Sequence, residues 1–283
     1  MLDYSYASQL KIAVEKLKNS HEETNPAFLA MEDLFGMNRT RLMIDGEKEM
    51  PEAERQMLHK VIDEVCSGKP YQYVIGFSWF YGEKFKVNEN VLIPRNETEE
   101  LVQLVLKETA DDGKTAADIG TGTGIIPIIL GKHWTHNRLF AVDISEKALD
   151  VARENNHLHN TKTVLLKGDL FEPLIEQGIR VDVLISNPPY ISSDETEYMS
   201  RSTLEYEPAV ALYAGDSGLA LYKKMINELP KVMNDRGKVY FEIGFRQGEA
   251  LRDYIVSIWP NTVPEIENDI NGNPRILHFM WER

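Results

Sequence analysis

Asn187-Pro188-Pro189-Tyr190 closes the apolar run Val181-Asp182-Val183-Leu184-Ile185-Ser186 and is the part of this 283-residue chain best equipped for chemistry. Each proline fixes its own φ at about −65° and removes a backbone donor, and Pro188 also pushes Asn187 out of the α region. The turn is therefore stiff and rich in acceptors. A planar amide or aromatic amine offers two N–H donors. The Asn187 side-chain oxygen and the Pro188 carbonyl can accept both while the Tyr190 ring covers the conjugated plane. One nitrogen is then aimed in one direction, as alkylation of a planar NH2 group requires. By themselves the four residues also describe a proline-rich turn after a buried strand.

A second motif supplies the other reactant. Thr115-Ala116-Ala117-Asp118-Ile119 reads as a short buried strand that runs into Gly120-Thr121-Gly122-Thr123-Gly124 and then into a helix starting at Ile125. Glycines serve where the backbone turns with positive φ and where a ligand must approach the main chain closely. The G-x-G-x-G spacing departs from the G-x-G-x-x-G that grips a pyrophosphate, and Asp118 sits better beside a cation than beside a diphosphate. A further strand, Arg138 to Val142, ends in Asp143, where a carboxylate grips ribose hydroxyls. Another, Thr163 to Leu166, ends near Gly168-Asp169-Leu170-Phe171, where Asp169 is placed for an adenine amine and Leu170 or Phe171 for the face of the ring. Any one of these is also a glycine turn or a helix cap. The four in order describe a nucleoside site.

On these motifs the chain resembles the class I S-adenosylmethionine-dependent methyltransferases, within them the subgroup whose Asn-Pro-Pro-Tyr turn methylates planar nitrogens. That subgroup includes adenine-N6 and protein-glutamine N5 enzymes, and the tetrapeptide does not separate them. The stretches Gly68 to Gly76 and Val91 to Val102 resemble the approach to the catalytic domain in the glutamine methyltransferases of class 1 peptide chain release factors. Their Pro-Arg-Pro-Glu-Thr-Glu pattern appears here as Pro94-Arg95-Asn96-Glu97-Thr98-Glu99. Tyr206-Glu207-Pro208 resembles the same family's substrate-enclosing segment, and Glu242-Ile243-Gly244, Gln247-Gly248, Asp269, Gly272 and Arg275 match it too. The resemblance implies S-adenosyl-L-methionine as cofactor, held by Asp118, the Gly120 to Gly124 loop, Asp143, Asp169, Leu170 and Asn187. It implies Asn187, Pro188 and Tyr190 as catalytic residues, with Pro189, Arg95, Glu97 and Glu207 beside them on the substrate. The expected substrate is the glutamine of the Gly-Gly-Gln loop of class 1 release factors. A ribosomal-protein glutamine, a nucleic-acid adenine and a non-catalytic cofactor-binding role are the alternatives.

Composition bears on these alternatives. A net charge of −14 with no basic run makes a poor duplex binder, because phosphate neutralisation dominates nucleic-acid affinity, so no direct nucleic-acid contact is expected. Cys66 is the single cysteine, which excludes an internal disulfide and fits a reducing cytosol, and no metal cluster is visible in the sequence. Met1-Leu2-Asp3-Tyr4 does not open a secretion signal, and no apolar stretch approaches the roughly 20 residues of a membrane span. A cytoplasmic protein is expected.

The positioning elements follow from periodicity. Leu10, Ala13, Val14 and Leu17 share a helical face; Asn25-Pro26 opens a helix carrying Phe28, Met31, Leu34 and Phe35; Leu58, Val61, Ile62 and Val65 repeat the spacing. These predict a small helical bundle over 1–75, assigned to the substrate protein because methyl transfer itself needs no such annex. Alternation around Phe77, Trp79, Phe80 and Tyr81 predicts a linking hairpin over 76–93. From 94 to 283, strands alternate with helices, one capped by Ser145 and one ended or kinked by Pro230, with late strands Lys238 to Glu242 and Ile276 to Trp281, the last antiparallel. The expected fold is α/β, a doubly wound class I methyltransferase sheet with ligands at the carboxyl ends of its strands.

Overall fold

The structure, a computed structural model, describes residues 4–191 and 201–282. Met1 to Asp3, on which part of the expectation of no secretion signal rests, lie outside the described residues. The chain divides into two compact units.

The first unit is helical: α1 (Tyr6–Asn19), α2 (Asn25–Phe35), α3 (Arg39–Asp45), α4 (Glu52–Cys66) and α5 (Tyr71–Ile75). Ser5 caps α1 by accepting from the Ser8 N–H, and Gly36, at φ +67°, ends α2 in the left-handed region. The predicted apolar faces supply the core: Ala13 and Leu17 of α1, Met31 of α2, and Leu58, Val61, Ile62 and Val65 of α4 are all buried together. Thr24, one residue before Asn25, holds the N-cap position of α2 and leaves Pro26 in its first turn. A sixth piece is remote in sequence. The helix Arg201–Tyr206 belongs to this unit, and the Tyr206 hydroxyl donates to the Ser67 carbonyl at 3.3 Å.

The second unit begins with the hairpin β1 (Phe77–Phe80) and β2 (Glu83–Lys86). The expected hairpin is present, and its buried side chains are part of this unit's core. Phe80 and Phe85 are fully buried with Leu101, Val105 and Ile129, and Asn155 brackets Lys86 by accepting from its N–H at 2.7 Å and donating to its carbonyl at 3.0 Å. Then follow α6 (Asn96–Glu108), β3 (Thr115–Ile119), α7 (Ile125–His133), β4 (Arg138–Asp143), α8 (Glu146–Leu158), β5 (Val164–Lys167), α9 (Glu172–Glu176) and β6 (Val181–Ser186). After α10, the Arg201–Tyr206 helix, come α11 (Ala220–Val232), β7 (Met233–Glu242), α12 (Gly248–Ile258), β8 (Glu265–Asn268) and β9 (Pro274–Trp281). Pro230 lies inside α11, which ends two residues later.

Seven strands pair in the order β5-β4-β3-β6-β7-β9-β8, parallel from β5 to β7 and antiparallel for β9 and β8. The period-two alternation of strands sorts the core into two layers. Ala117, Ile119, Leu184 and Phe241 face α11 and α12, whereas Ala116, Val183, Ile185 and Tyr240 face α6 and α7. Register sets the site. Ile119 pairs with Val142 on one side and with Ser186 on the other, so the glycine loop, Asp143 and Asn187 all emerge at the carboxyl ends of three adjacent strands.

Candidate active site

The loop after β3 is held from beneath. Gly120 and Thr121 N–H groups donate to the Val142 carbonyl at 2.9 and 3.0 Å, and the buried Asn155 amide donates to the Thr123 carbonyl at 3.0 Å. Gly120, Gly122 and Gly124 have φ of +75°, +53° and +78°, which side-chain-bearing residues rarely adopt. The three glycines divide their work. A methyl group added at Gly120 or Gly122 would meet open space, whereas at Gly124 it would sit 3.2 Å from the Ala152 Cβ. Gly120, Thr121, Gly122 and Thr123 therefore line the cavity, and Gly124 serves the packing of α7 on α8.

That cavity, about 370 Å3, is also lined by Arg95, Asp143, Asp169, Leu170, Asn187, Pro188 and Pro189. Asp143 spends its carboxylate on the backbone: Oδ2 accepts from the Gly122 N–H and Oδ1 from the Ser145 N–H, both at 2.8 Å, and burial pushes its pKa up. Asp169 is ion-paired with Lys224 on α11. Leu170, at φ +48°, faces the cavity, but Phe171 does not. Its ring is fully buried in the core, which leaves Leu170 alone as the expected ring cover.

Asp118 lies outside the lining and is 1% exposed. Neither carboxylate oxygen has a hydrogen-bond partner among the described residues; the Thr121 hydroxyl lies close enough to ease the charge without reaching bonding geometry. Burial pushes its pKa to about 7, and the neighbouring Asp143 charge adds to the rise. A buried, unpartnered carboxylate is costly unless a cation answers it. The sequence placed an anion there without showing that it is stranded.

The acceptor turn leaves β6 at Ser186, whose hydroxyl donates to the Ile119 carbonyl at 2.6 Å and ties the two loops together. The Asn187 amide nitrogen donates to the Thr98 hydroxyl at 3.2 Å, and Thr98 in turn donates to Glu242 Oε2 at 2.7 Å. Glu242 is 1% exposed, and burial raises its carboxyl to about 7 against the pull of Thr98 and Arg275. With its nitrogen engaged by this pair, Asn187 keeps its side-chain oxygen for a donor in the cavity. Sequence reasoning gave Thr98 no role of its own, and its only signal was its place inside the Arg95 to Glu99 segment.

Besides Asp118 and Gly124, three residues expected on the substrate side, Tyr190, Glu207 and Glu97, do not line the cavity. The Tyr190 ring packs on the core beside Gly244, its carbonyl accepts from Gln247 at 2.8 Å, and burial lifts its hydroxyl to about 12. Glu207 is a buried strut, 6% exposed, that pairs with Arg95 at 2.5 Å and accepts from the Ile93 N–H at 3.3 Å. It fastens the stretch from Asn90 to Arg95 that forms one wall. Glu97 lies on α6 near Tyr190 and Glu242, where its charge raises both pKa values. Glu99 accepts from the Tyr81 N–H at 2.6 Å and anchors the hairpin.

A parallel sheet, a glycine loop after β3, a carboxylate ending β4 and a cavity at the carboxyl ends define a class I S-adenosylmethionine-dependent methyltransferase. Residues 96–239 match the family described as Methyltransferase small domain, and residues 9–76 match the PrmC N-terminal domain. A methyltransferase structure from Pyrococcus furiosus, 17% identical, superposes with a TM-score of 0.53 over 72% of this chain and 91% of that one, a likeness of fold. The release factor glutamine methyltransferase of Staphylococcus aureus is 39% identical over 98% of this chain and 99% of its own length, and that of Bacillus subtilis is 38% identical over 95% of each. The chain belongs to the release factor glutamine methyltransferase family.

Proposed function

We propose that this protein transfers the methyl group of S-adenosylmethionine to N5 of the glutamine in the Gly-Gly-Gln loop of class 1 peptide chain release factors, and that its helical unit binds the protein substrate in the cytoplasm. The observation that carries the reading is the Asn187 amide, whose nitrogen is engaged by Thr98 and which lines a cavity walled by the glycine loop. The cofactor fits the residues present. Gly120 and Gly122 leave open space for close approach, Asp143, Asp169 and Leu170 line the same cavity, and the buried Asp118 carboxyl nearby has no hydrogen-bond partner among the described residues.

Bound there, S-adenosylmethionine supplies an electrophilic methyl group on a sulfonium. The residues do the rest. A glutamine amide nitrogen is a poor nucleophile because its lone pair is delocalised, so the protein must supply orientation, which for well-placed reactants is worth about 7–11 kcal/mol. The Asn187 oxygen and the Pro188 carbonyl accept the two N–H groups and aim the nitrogen. These bonds strengthen as the attacking nitrogen becomes more acidic in the transition state. Asn187 is not a base at neutral pH, and a neutral acceptor pair lets the surplus proton leave to solvent after transfer.

The test is labelled methyl transfer to release factor, to release factor with the loop glutamine changed, to a ribosomal protein and to DNA. Label on the unaltered release factor alone is expected, and label on the ribosomal protein or DNA overturns the substrate assignment. Asn187→Ala should lose nearly all transfer and keep most cofactor affinity, and unchanged turnover in that variant would remove the clamp.

A further inference from the structure

At the edge of the sheet farthest from β5, β8 and β9 bring together three side chains that sequence spacing does not connect. Glu265 pairs directly with His278 in the antiparallel register, and Glu267, two residues on, projects from the same face. One ligand atom from each of the three lies within 4.8 Å of the others.

The histidine is built in. It is 7% exposed and its ring stacks on Tyr240, centroids 5.7 Å apart and planes 5° apart. Its Nδ1 faces Glu108 Oε2 at 3.8 Å, a carboxylate fixed by the Tyr240 hydroxyl at 2.8 Å and by Lys238 at 3.5 Å. The other nitrogen, Nε2, is buried, has no hydrogen-bond partner among the described residues, and lies 3.8 Å from Glu267 Oε1. Stacking on Tyr240 holds the ring, and a carboxylate lies on the Nδ1 side, where a ligating imidazole ordinarily has its outer partner. Glu265 and Glu267 are exposed, and no lysine or arginine among the described residues lies within ion-pair distance of either.

We propose that Glu265, Glu267 and His278 bind a divalent transition-metal ion, with zinc the best match for one imidazole and two carboxylates. Zinc bonds of about 2.0–2.2 Å set tetrahedral ligand atoms about 3.3–3.6 Å apart. Rotation of the two exposed glutamate side chains closes the gap while the stacked imidazole stays in place. The ion would clasp the short edge strand β8 to β9, at the position where an unpaired strand edge is a liability. Sequence spacing shows no such cluster because strand register is what brings these three residues together.

The experiment uses metal-free full-length protein, titrated with zinc by calorimetry and with cobalt(II) by visible absorption. One saturable equivalent with a tetrahedral cobalt spectrum is expected. The Glu265→Gln, Glu267→Gln double variant should bind at least tenfold more weakly, with an unfolding midpoint in chelator equal to that of the unaltered protein, since both side chains are exposed. His278→Gln should lose the site as well. Absence of saturable binding at micromolar metal overturns the proposal, as does equal binding by the glutamate variant. Neither result touches the methyl-transfer reading.

Discussion

Replacing Asp118 by asparagine should separate what the site costs from what it does. The carboxyl titrates at about 7 in the folded protein against 3.8 ordinarily, because burial disfavours its charge. At about 1.4 kcal/mol per tenfold change in proton affinity, the gap amounts to about 4 kcal/mol. The sign follows from proton binding. Below pH 3.8 both folded and unfolded chains hold the proton, so there is no penalty. Between 3.8 and about 7 the folded chain holds it more tightly, so stability falls as pH rises, and above about 7 the whole penalty is present. Roughly 3 kcal/mol of it develops between pH 5 and pH 8. The asparagine of the Asp118→Asn variant does not titrate, so the stability difference between variant and unaltered protein should shift by about 3 kcal/mol in the variant's favour over that range. The cost of the new amide's own unmatched donors, about 1–3 kcal/mol, is the same at both ends and cancels. The assay is urea unfolding at intervals from pH 5 to pH 8 without cofactor, followed by tryptophan fluorescence. Trp79, Trp134, Trp259 and Trp281 all lie in the second unit, so the signal reports that unit alone. On the proposed reading, in which the buried Asp118 carboxylate beneath the loop favours a cationic cofactor, the same variant should bind S-adenosylmethionine more weakly. A stability difference that stays constant with pH, or narrows, refutes the stranded carboxylate.

Three further outcomes are expected. Thr98→Val removes the hydroxyl that joins Asn187 to Glu242; at about 1–3 kcal/mol for the broken bonds, turnover should fall by about 10- to 100-fold, with cofactor affinity by calorimetry unchanged. Asp143→Ala releases the Gly122 and Ser145 N–H groups and should weaken S-adenosylmethionine binding by about 10-fold or more, again by calorimetry. Arg95→Met strands Glu207, whose side chain is 2% exposed, and should destabilise the second unit by about 3 kcal/mol in urea unfolding at neutral pH.

What was legible in the sequence was local. The strand, glycine loop and helix from Thr115 to Leu130 read correctly because all their determinants lie within a few residues, and the buried faces of α1, α2 and α4 follow from helical spacing alone. What joins distant positions was not legible. Thr98 meets Asn187 across 89 positions and Arg95 meets Glu207 across 112, and neither has a spacing signature. β8 was missed because its Glu-Ile-Glu-Asn sequence offers one partly buried residue and otherwise reads as a polar loop, as an exposed edge strand does. Phe171 was offered by residue type as a ring cover, but the core claimed its ring. The hairpin was legible from its alternation, but the burial of Phe80 and Phe85 was not, because it depends on helices that come later in the chain.

The helix Arg201–Tyr206 packs with residues more than a hundred positions earlier, and the next residue, Glu207, is the strut of the active-site wall. The helical unit is therefore not a cassette at one end of the gene. A chimera that exchanges only the stretch through Gly76 would pair a foreign bundle with a native sixth helix, and the mismatch would fall one peptide bond from Glu207. Changes in the two stretches should travel together through the family's history, as the halves of one inherited surface.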